Sequence, residues 1–233
     1  MIPPSTVAGE GGAGAPVTAG APPPGRLALD CYLVTDRSQC AGRGLETTVA
    51  AAVQGGATVV QLRDPAATGR QLYELARALH HLLEGTGVPL FVDDRVDVAL
   101  AAGADGVHLG QSDLPAPAAR RLVGPTMRIG WSVHDRVELD EACRWPAGTV
   151  DYLGIGPVFP TTTKADAKSP LGLDGLAALV ATSPLPCVAI GGITLERAAG
   201  VWTTGVAGLA VVSAVCTAED PAAAARALLA ARP

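Results

Sequence analysis

Apolar residues fall along this chain in eight short runs, separated by segments in which they recur every three or four positions. The runs are residues 31–34, 58–62, 89–92, 106–109, 127–130, 152–155, 187–190 and 209–212. Short, nearly continuous apolar stretches bounded by Gly, Pro or Asp predict strands buried on both faces, as in a parallel sheet. The intervening segments predict helices. Residues 45–55 carry Ala and Val at helical spacing and end at Gly55-Gly56. Residues 68–84 open at Thr68, a suitable N-cap, and place Leu72, Leu75, Ala76 and Leu79 on one face. Helices are also predicted over residues 95–102, 135–143, 173–180 and 194–202. A last one spans 221–231, where Pro221 sits in the first turn and its missing N–H costs nothing. Strand and helix alternating through the chain predict an α/β protein, a (β/α)8 TIM barrel. A doubly wound open sheet is the alternative, but no Gly-x-Gly-x-x-Gly follows the first run.

Composition divides the chain in two. Residues 1–26 are Gly, Ala and Pro with few large side chains, so they are expected to form a flexible tail outside the fold. They lack the basic start and continuous apolar centre of a secretory signal. Residues 27–233 suffice for one domain with a sizeable core. Hydrophobic residues make up 48% of the chain but aromatics only 3%, so that core must be built from Val, Leu, Ile and Ala. No apolar run is long enough for a membrane span. A net charge of -5 disfavours a nucleic-acid binder but leaves room for a small anionic ligand in a local pocket. The five cysteines are odd in number and show no Cys-x-x-Cys spacing, which argues against a disulfide framework or a zinc site. Cys31, Cys187 and Cys216 lie in or beside apolar runs and are expected in the core. A reducing, cytoplasmic compartment fits this usage. The oligomeric state is left open, a homo-oligomer included.

If the barrel forms, chemistry belongs at the C-terminal ends of the strands. The second run ends Gln61-Leu62-Arg63-Asp64-Pro65, and alternation puts Gln61 and Arg63 on one face. A guanidinium there needs an anion, either a ligand or a carboxylate such as Asp94. The third run ends Asp93-Asp94-Arg95 and the fourth leads to Asp113. Carboxylates on adjacent strand ends suit Mg2+, a hard cation, with Asp94 and Asp113 as ligands. The competing roles are an N-cap of helix 95–102 for Asp94 and a turn or cap for Asp113. After the fifth run, Ser132 could bond a phosphate oxygen or a local turn, and His134 is a secondary acid–base candidate. The sixth run opens into Gly156-Pro157-Val158-Phe159-Pro160-Thr161-Thr162-Thr163-Lys164. Its hydroxyls and ammonium suit a phosphorylated ligand. Gly192 and Ser213 follow the seventh and eighth runs at predicted helix starts, where barrels bind phosphate on backbone N–H groups. The glycine could instead serve only a tight turn.

In order and spacing, these segments resemble the thiamine phosphate synthase family. The resemblance is carried by Gln-Leu-Arg at 61–63, Asp-Arg-Val-Asp-Val-Ala-Leu at 94–100 and Gly-Val-His-Leu-Gly-Gln-Ser-Asp at 106–113. It continues with the Gly156 to Lys164 segment and Ala-Ile-Gly-Gly-Ile at 189–193. It runs from about Tyr32 to the C-terminus and excludes the tail. It implies a transferase of thiamine biosynthesis, which joins a hydroxymethylpyrimidine diphosphate to a thiazole phosphate and releases diphosphate. It further implies a dissociative route, in which the C–O bond breaks before the thiazole nitrogen captures the cation. Asp94 and Asp113 would hold Mg2+. Arg63, Lys164 and Ser132 would act on the diphosphate, and Gln61 on the pyrimidine. Thr161 and Thr163 would shape the cleft, and Gly192, Val212 and Ser213 would offer N–H groups to the thiazole phosphate. No general base is demanded, in keeping with a sequence that shows no Ser/His/Asp arrangement.

Two positions depart from the family pattern. Pro65 stands where the family has Lys, and Asp93 where it usually has Asn. Each change makes the site more negative by one charge, so weaker diphosphate binding or heavier reliance on metal is expected, with Asp93 drawing Mg2+ more tightly. Arg70 or Lys168 could fill the gap left at position 65. The alternatives are a divergent synthase using another pyrimidine, an isomerase like the related thiazole tautomerases, with His134 at their histidine position, and a non-catalytic phosphate-ligand binder.

Overall fold

A computed structural model describes residues 27–163 and 168–233. Eight parallel strands close a barrel in chain order. They are β1 Cys31–Val34, β2 Val59–Leu62, β3 Leu90–Asp93, β4 Gly106–Leu109, β5 Arg128–Val133, β6 Tyr152–Ile155, β7 Cys187–Ile190 and β8 Gly208–Val211. The connecting helices are α1 Leu45–Gln54, α2 Gly69–Leu83, α3 Val96–Ala102, α4 Ala116–Val123, α5 Arg136–Arg144, α6 Gly172–Thr182 and α7 Leu195–Trp202. Two more follow β8: α8, Ser213–Cys216, and α9, Pro221–Ala230. The (β/α)8 expectation holds. Among the described residues no helix is long and apolar enough to cross a membrane.

Local signals set the helix ends. The Thr68 side chain accepts from Gln71 N while the Gln71 side chain takes the Thr68 N–H, a reciprocal capping box. Asp135 and Asp220 cap α5 and α9 through the same kind of side-chain acceptor. Helix α4 has no counterpart in the sequence reading, because Pro115 and Pro117 flank its first residue and disguise its start. Helix α3 also differs from expectation: its N-cap position is Arg95, not Asp94. Strand β5 runs on to Val133, so Ser132 lies within the strand rather than beyond it.

Apolar packing forms two separate regions. Aliphatic residues such as Leu62, Leu79, Val107, Leu153 and Leu209 fill the layer between strands and helices. The lumen is different: Tyr32, Phe91 and Tyr152 meet there with ring centroids 5.7 to 6.1 Å apart, ringed by Val34, Val59 and Val188. Three rings fit because neighbouring inward positions are small. A Cβ at Gly106 would overlap the Phe91 ring, and one at Gly130 would overlap both Tyr152 and His108. Large and small side chains therefore alternate around the taper.

At the N-terminal end of the strands, Asp151 binds Arg120 at 2.9 Å and Arg128 at 2.7 Å, and accepts from Ile129 N. Arg120 also donates to the carbonyls of Thr149, Gly124 and Met127. This network ties β5, β6 and α4 together, the stability role expected of that face.

Candidate functional site

The opposite, C-terminal end opens into a cavity of about 610 Å³. Of the site residues expected from sequence, Gln61, Arg63, Asp93, Asp94, Asp113, Ser132, His134, Thr161, Thr163, Gly192, Val212 and Ser213 all line it. Lys164 lies outside the described residues. One cavity thus gathers residues from all eight strands and the loops that follow them.

Consecutive residues Asp93 and Asp94 both reach this cavity, although alternation along a strand would separate them. The backbone explains how. Asp94 has φ 60, the left-handed region that a non-glycine residue enters at a cost of roughly 1 kcal/mol. Its N–H donates to His108 O at 2.8 Å, while the Arg95 N–H turns back to Asp93 O at 2.6 Å. This turn makes Asp94 a cavity residue rather than a helix cap. Asp113 is oriented by the Gly110 N–H, which donates to Oδ2 at 2.7 Å. The turn role weighed for Asp113 is therefore present together with its place on the cavity.

Arg63 is 3.2 Å from Asp93 through Nε and Oδ2. Its carboxylate partner is thus Asp93 and not the Asp94 named from sequence. Through this contact Asp93 offsets part of the charge of Arg63. Lys168 lines the cavity and pairs with Glu138, whose other oxygen accepts from His134 N at 2.7 Å. Lys168 thus reaches the cavity with its charge matched by Glu138, whereas Arg70 is not among the cavity residues. His134 Nδ1 sits 3.1 Å from Gly156 O.

Gly192 does not open a helix as expected. It precedes α7 by three residues at φ 63, and a Cβ there would overlap Pro160 O and Phe159 Cβ. Close backbone approach thus accounts for this glycine, and its turn still faces the cavity. Ser213 is the first residue of α8, with Val212 at the N-cap position.

Sequence reasoning missed the polar floor. Gln61 Nε2 donates to Tyr32 Oη at 2.9 Å. Tyr32 Oη and Tyr152 Oη are 2.6 Å apart, and Tyr152 Oη and His108 Nδ1 2.9 Å. His108 Nε2 meets Ser132 Oγ at 3.0 Å. A Ser–His pair therefore exists, with the Tyr152 hydroxyl at the other ring nitrogen. Burial pushes both phenols well above the ordinary value of 10.0, so each keeps its proton. In the barrel, His108 and Ser132 occupy inward positions on adjacent strands, paired with Gly130 and Gly154 respectively.

Comparison with known proteins gives the same picture over the same span. A family model described as thiamine monophosphate synthase matches residues 31–215. A thiamine-phosphate synthase of Xanthobacter autotrophicus is 53% identical over 203 residues, covering 87% of this chain and 95% of that protein. One from Albidiferax ferrireducens is 50% identical over 198 residues, covering 85% and 89%. The solved thiamine phosphate pyrophosphorylase of Pyrococcus furiosus superposes with a TM-score of 0.79 at 42% identity, over 88% of this chain and 96% of that one. With its barrel, its strand-end motifs and relatives about half identical across most of their length, the chain belongs to the thiamine monophosphate synthase family.

Proposed function

We propose that this chain is a Mg2+-dependent transferase that joins a hydroxymethylpyrimidine diphosphate to a thiazole phosphate and releases diphosphate. The reading is carried by one observation: Arg63, Asp94, Asp113, Ser132 and the Gly192 and Ser213 turns share a single cavity in a member of this family.

Asp94 and Asp113 supply the hard oxygen donors that Mg2+ prefers. Among the described residues no group of three or more His, Cys, Asp or Glu side chains could hold a metal. A cation here would complete its shell with water and phosphate oxygens, the usual habit of Mg2+. When bound, it would stabilise negative charge on the departing diphosphate. The chain's own residues do the rest. Arg63 and Ser132 meet diphosphate oxygens, and Lys164, on the segment after Thr163, has the same duty. Gln61 positions the pyrimidine at the floor. Thr161 and Thr163 border the cleft, and the N–H groups at Gly192, Val212 and Ser213 hold the thiazole phosphate. The C–O bond breaks with its electron pair leaving on diphosphate, and the thiazole nitrogen lone pair then closes the new C–N bond. All five cysteines are free and four are buried, which suits a reducing, cytoplasmic setting.

The test is diphosphate release from paired substrates with and without Mg2+. Release that needs both substrates, stops with chelator and returns with Mg2+ is the expected result. Turnover of a thiazole substrate alone would identify an isomerase, and no turnover of either would leave a binding protein.

A further inference from the structure

The geometry points to His108 as a positioning residue: the lumen chain Gln61–Tyr32–Tyr152–His108 fixes its Nε2–H tautomer, so that it donates to Ser132 and turns the Ser132 hydroxyl hydrogen toward a ligand oxygen in the cavity. The inference rests on the functional reading above and assigns a direction to bonds that distances alone leave ambiguous.

The direction follows from counting hydrogens. Each phenol has one hydrogen to donate. The Gln61 amide donates to Tyr32 Oη, so the Tyr32 hydrogen goes to its other neighbour, Tyr152 Oη. Tyr152 then gives its own hydrogen to His108 Nδ1. With Nδ1 accepting, the imidazole hydrogen resides on Nε2 and points at Ser132 Oγ. The Ser132 oxygen thereby accepts, leaving its own hydrogen for the cavity. With the Gln61 amide donating, the opposite order of the remaining bonds would make Tyr32 Oη accept from both Gln61 and Tyr152 and strand its hydrogen in the lumen, an expensive outcome for a buried group. Burial of both phenols keeps each hydrogen in place, since neither ionises in the working range.

This polarity is opposite to that of a serine hydrolase. There the histidine accepts the serine proton and creates a nucleophile. Here the histidine donates, so Ser132 becomes a better hydrogen-bond donor. A donor suits a leaving diphosphate, whose oxygens gain negative charge as the C–O bond breaks. Successive donors in one chain also polarise one another in the same sense.

The experiment has a kinetic arm and a spectroscopic arm, both on the full chain. Tyr152→Phe removes the hydroxyl that fixes His108. It should lower kcat about tenfold, the scale of one hydrogen bond, while KM for the pyrimidine diphosphate stays within about twofold. In a Ser132→Ala background the same substitution should cost less than about twofold more, because its route to substrate is gone. Full multiplication of the two losses overturns the inference. His108→Gln, whose amide nitrogen can stand near Nε2, should retain several-fold more activity than His108→Asn; equal activities count against the chain. Histidine 15N resonances of the unsubstituted protein, assigned by difference from His108→Gln, should show a hydrogen on Nε2 and a bare Nδ1 at neutral pH. A hydrogen on Nδ1 overturns the direction whatever the variants do. A protein that turns over no substrate refutes the functional reading, while the 15N result still decides the chain.

Discussion

The two ends of the barrel use the same charged residue types for opposite ends. At the N-terminal end, Arg120, Arg128 and Asp151 bind one another and nearby carbonyls, and they draw β5, β6 and α4 into one block. At the C-terminal end, Arg63, Asp93, Asp94 and Asp113 stand around a cavity of about 610 Å³. The lesson is that charge and burial alone do not mark a site. What separates the ends is whether the groups surround protein or surround space. Asp94 makes the contrast plain, since its backbone is held in a costly conformation that places a carboxylate on the cavity.

Substitutions at the two ends should therefore fail in different assays. The largest effect belongs to Arg63→Ala and Asp94→Ala. Each should lower kcat/KM by about two orders of magnitude or more, the scale of losing a group that meets transition-state charge. The urea midpoint of Arg63→Ala should fall less than that of Asp151→Ala, since only the single 3.2 Å contact with Asp93 is lost; an equal stability loss would break the distinction. Next comes Asp151→Ala, which leaves two guanidinium groups without their carboxylate. It should destabilise by about 2–3 kcal/mol, somewhat less than a fully buried pair because the site is partly exposed. Activity measured well below the melting temperature should persist. A smaller effect is expected of Asp93→Asn. Weakening the 3.2 Å contact returns positive charge on Arg63 to the cavity, and KM for the pyrimidine diphosphate should fall severalfold. An increase would mean that Asp93 serves the site in another way.

The smallest effect concerns pH. Tyr32 and Tyr152 have pKa values raised by burial, so the unfolded chain loses phenolic protons before the folded one does. Their contribution is fully present below the ordinary tyrosine value of 10.0 and is lost as pH rises above it. Denaturant midpoints should fall from about pH 10 upward. The alkaline decline should be shallower in Tyr152→Phe; an identical slope would show that other groups govern it.

The barrel was legible in the chain because parallel strands covered on both faces must be mostly apolar, and the eight runs are, with Gln61, His108 and Arg128 among the polar exceptions. The strand ends were legible because polarity returns there abruptly. Three features were not. Helix α4 was hidden by Pro115 and Pro117, residues that break helices elsewhere but are tolerated at a start. The turn at Asp94 was hidden because a left-handed aspartate has no pattern of its own, and from it follow both the loss of the cap role and the Arg63–Asp93 contact. The lumen chain was hidden because Tyr32 and Tyr152 belong to apolar runs, where a ring reads as packing. Their hydroxyls acquire meaning only when closure of the barrel brings β1 and β6 face to face across the axis, 120 residues apart in sequence.

The plug of aromatic rings under Gln61 also dictates traffic. Among the described residues these rings close the cavity at its base, so a ligand resting on Gln61 is reached from the rim. Any occupant seated nearer the rim acts as a cork on the one beneath it.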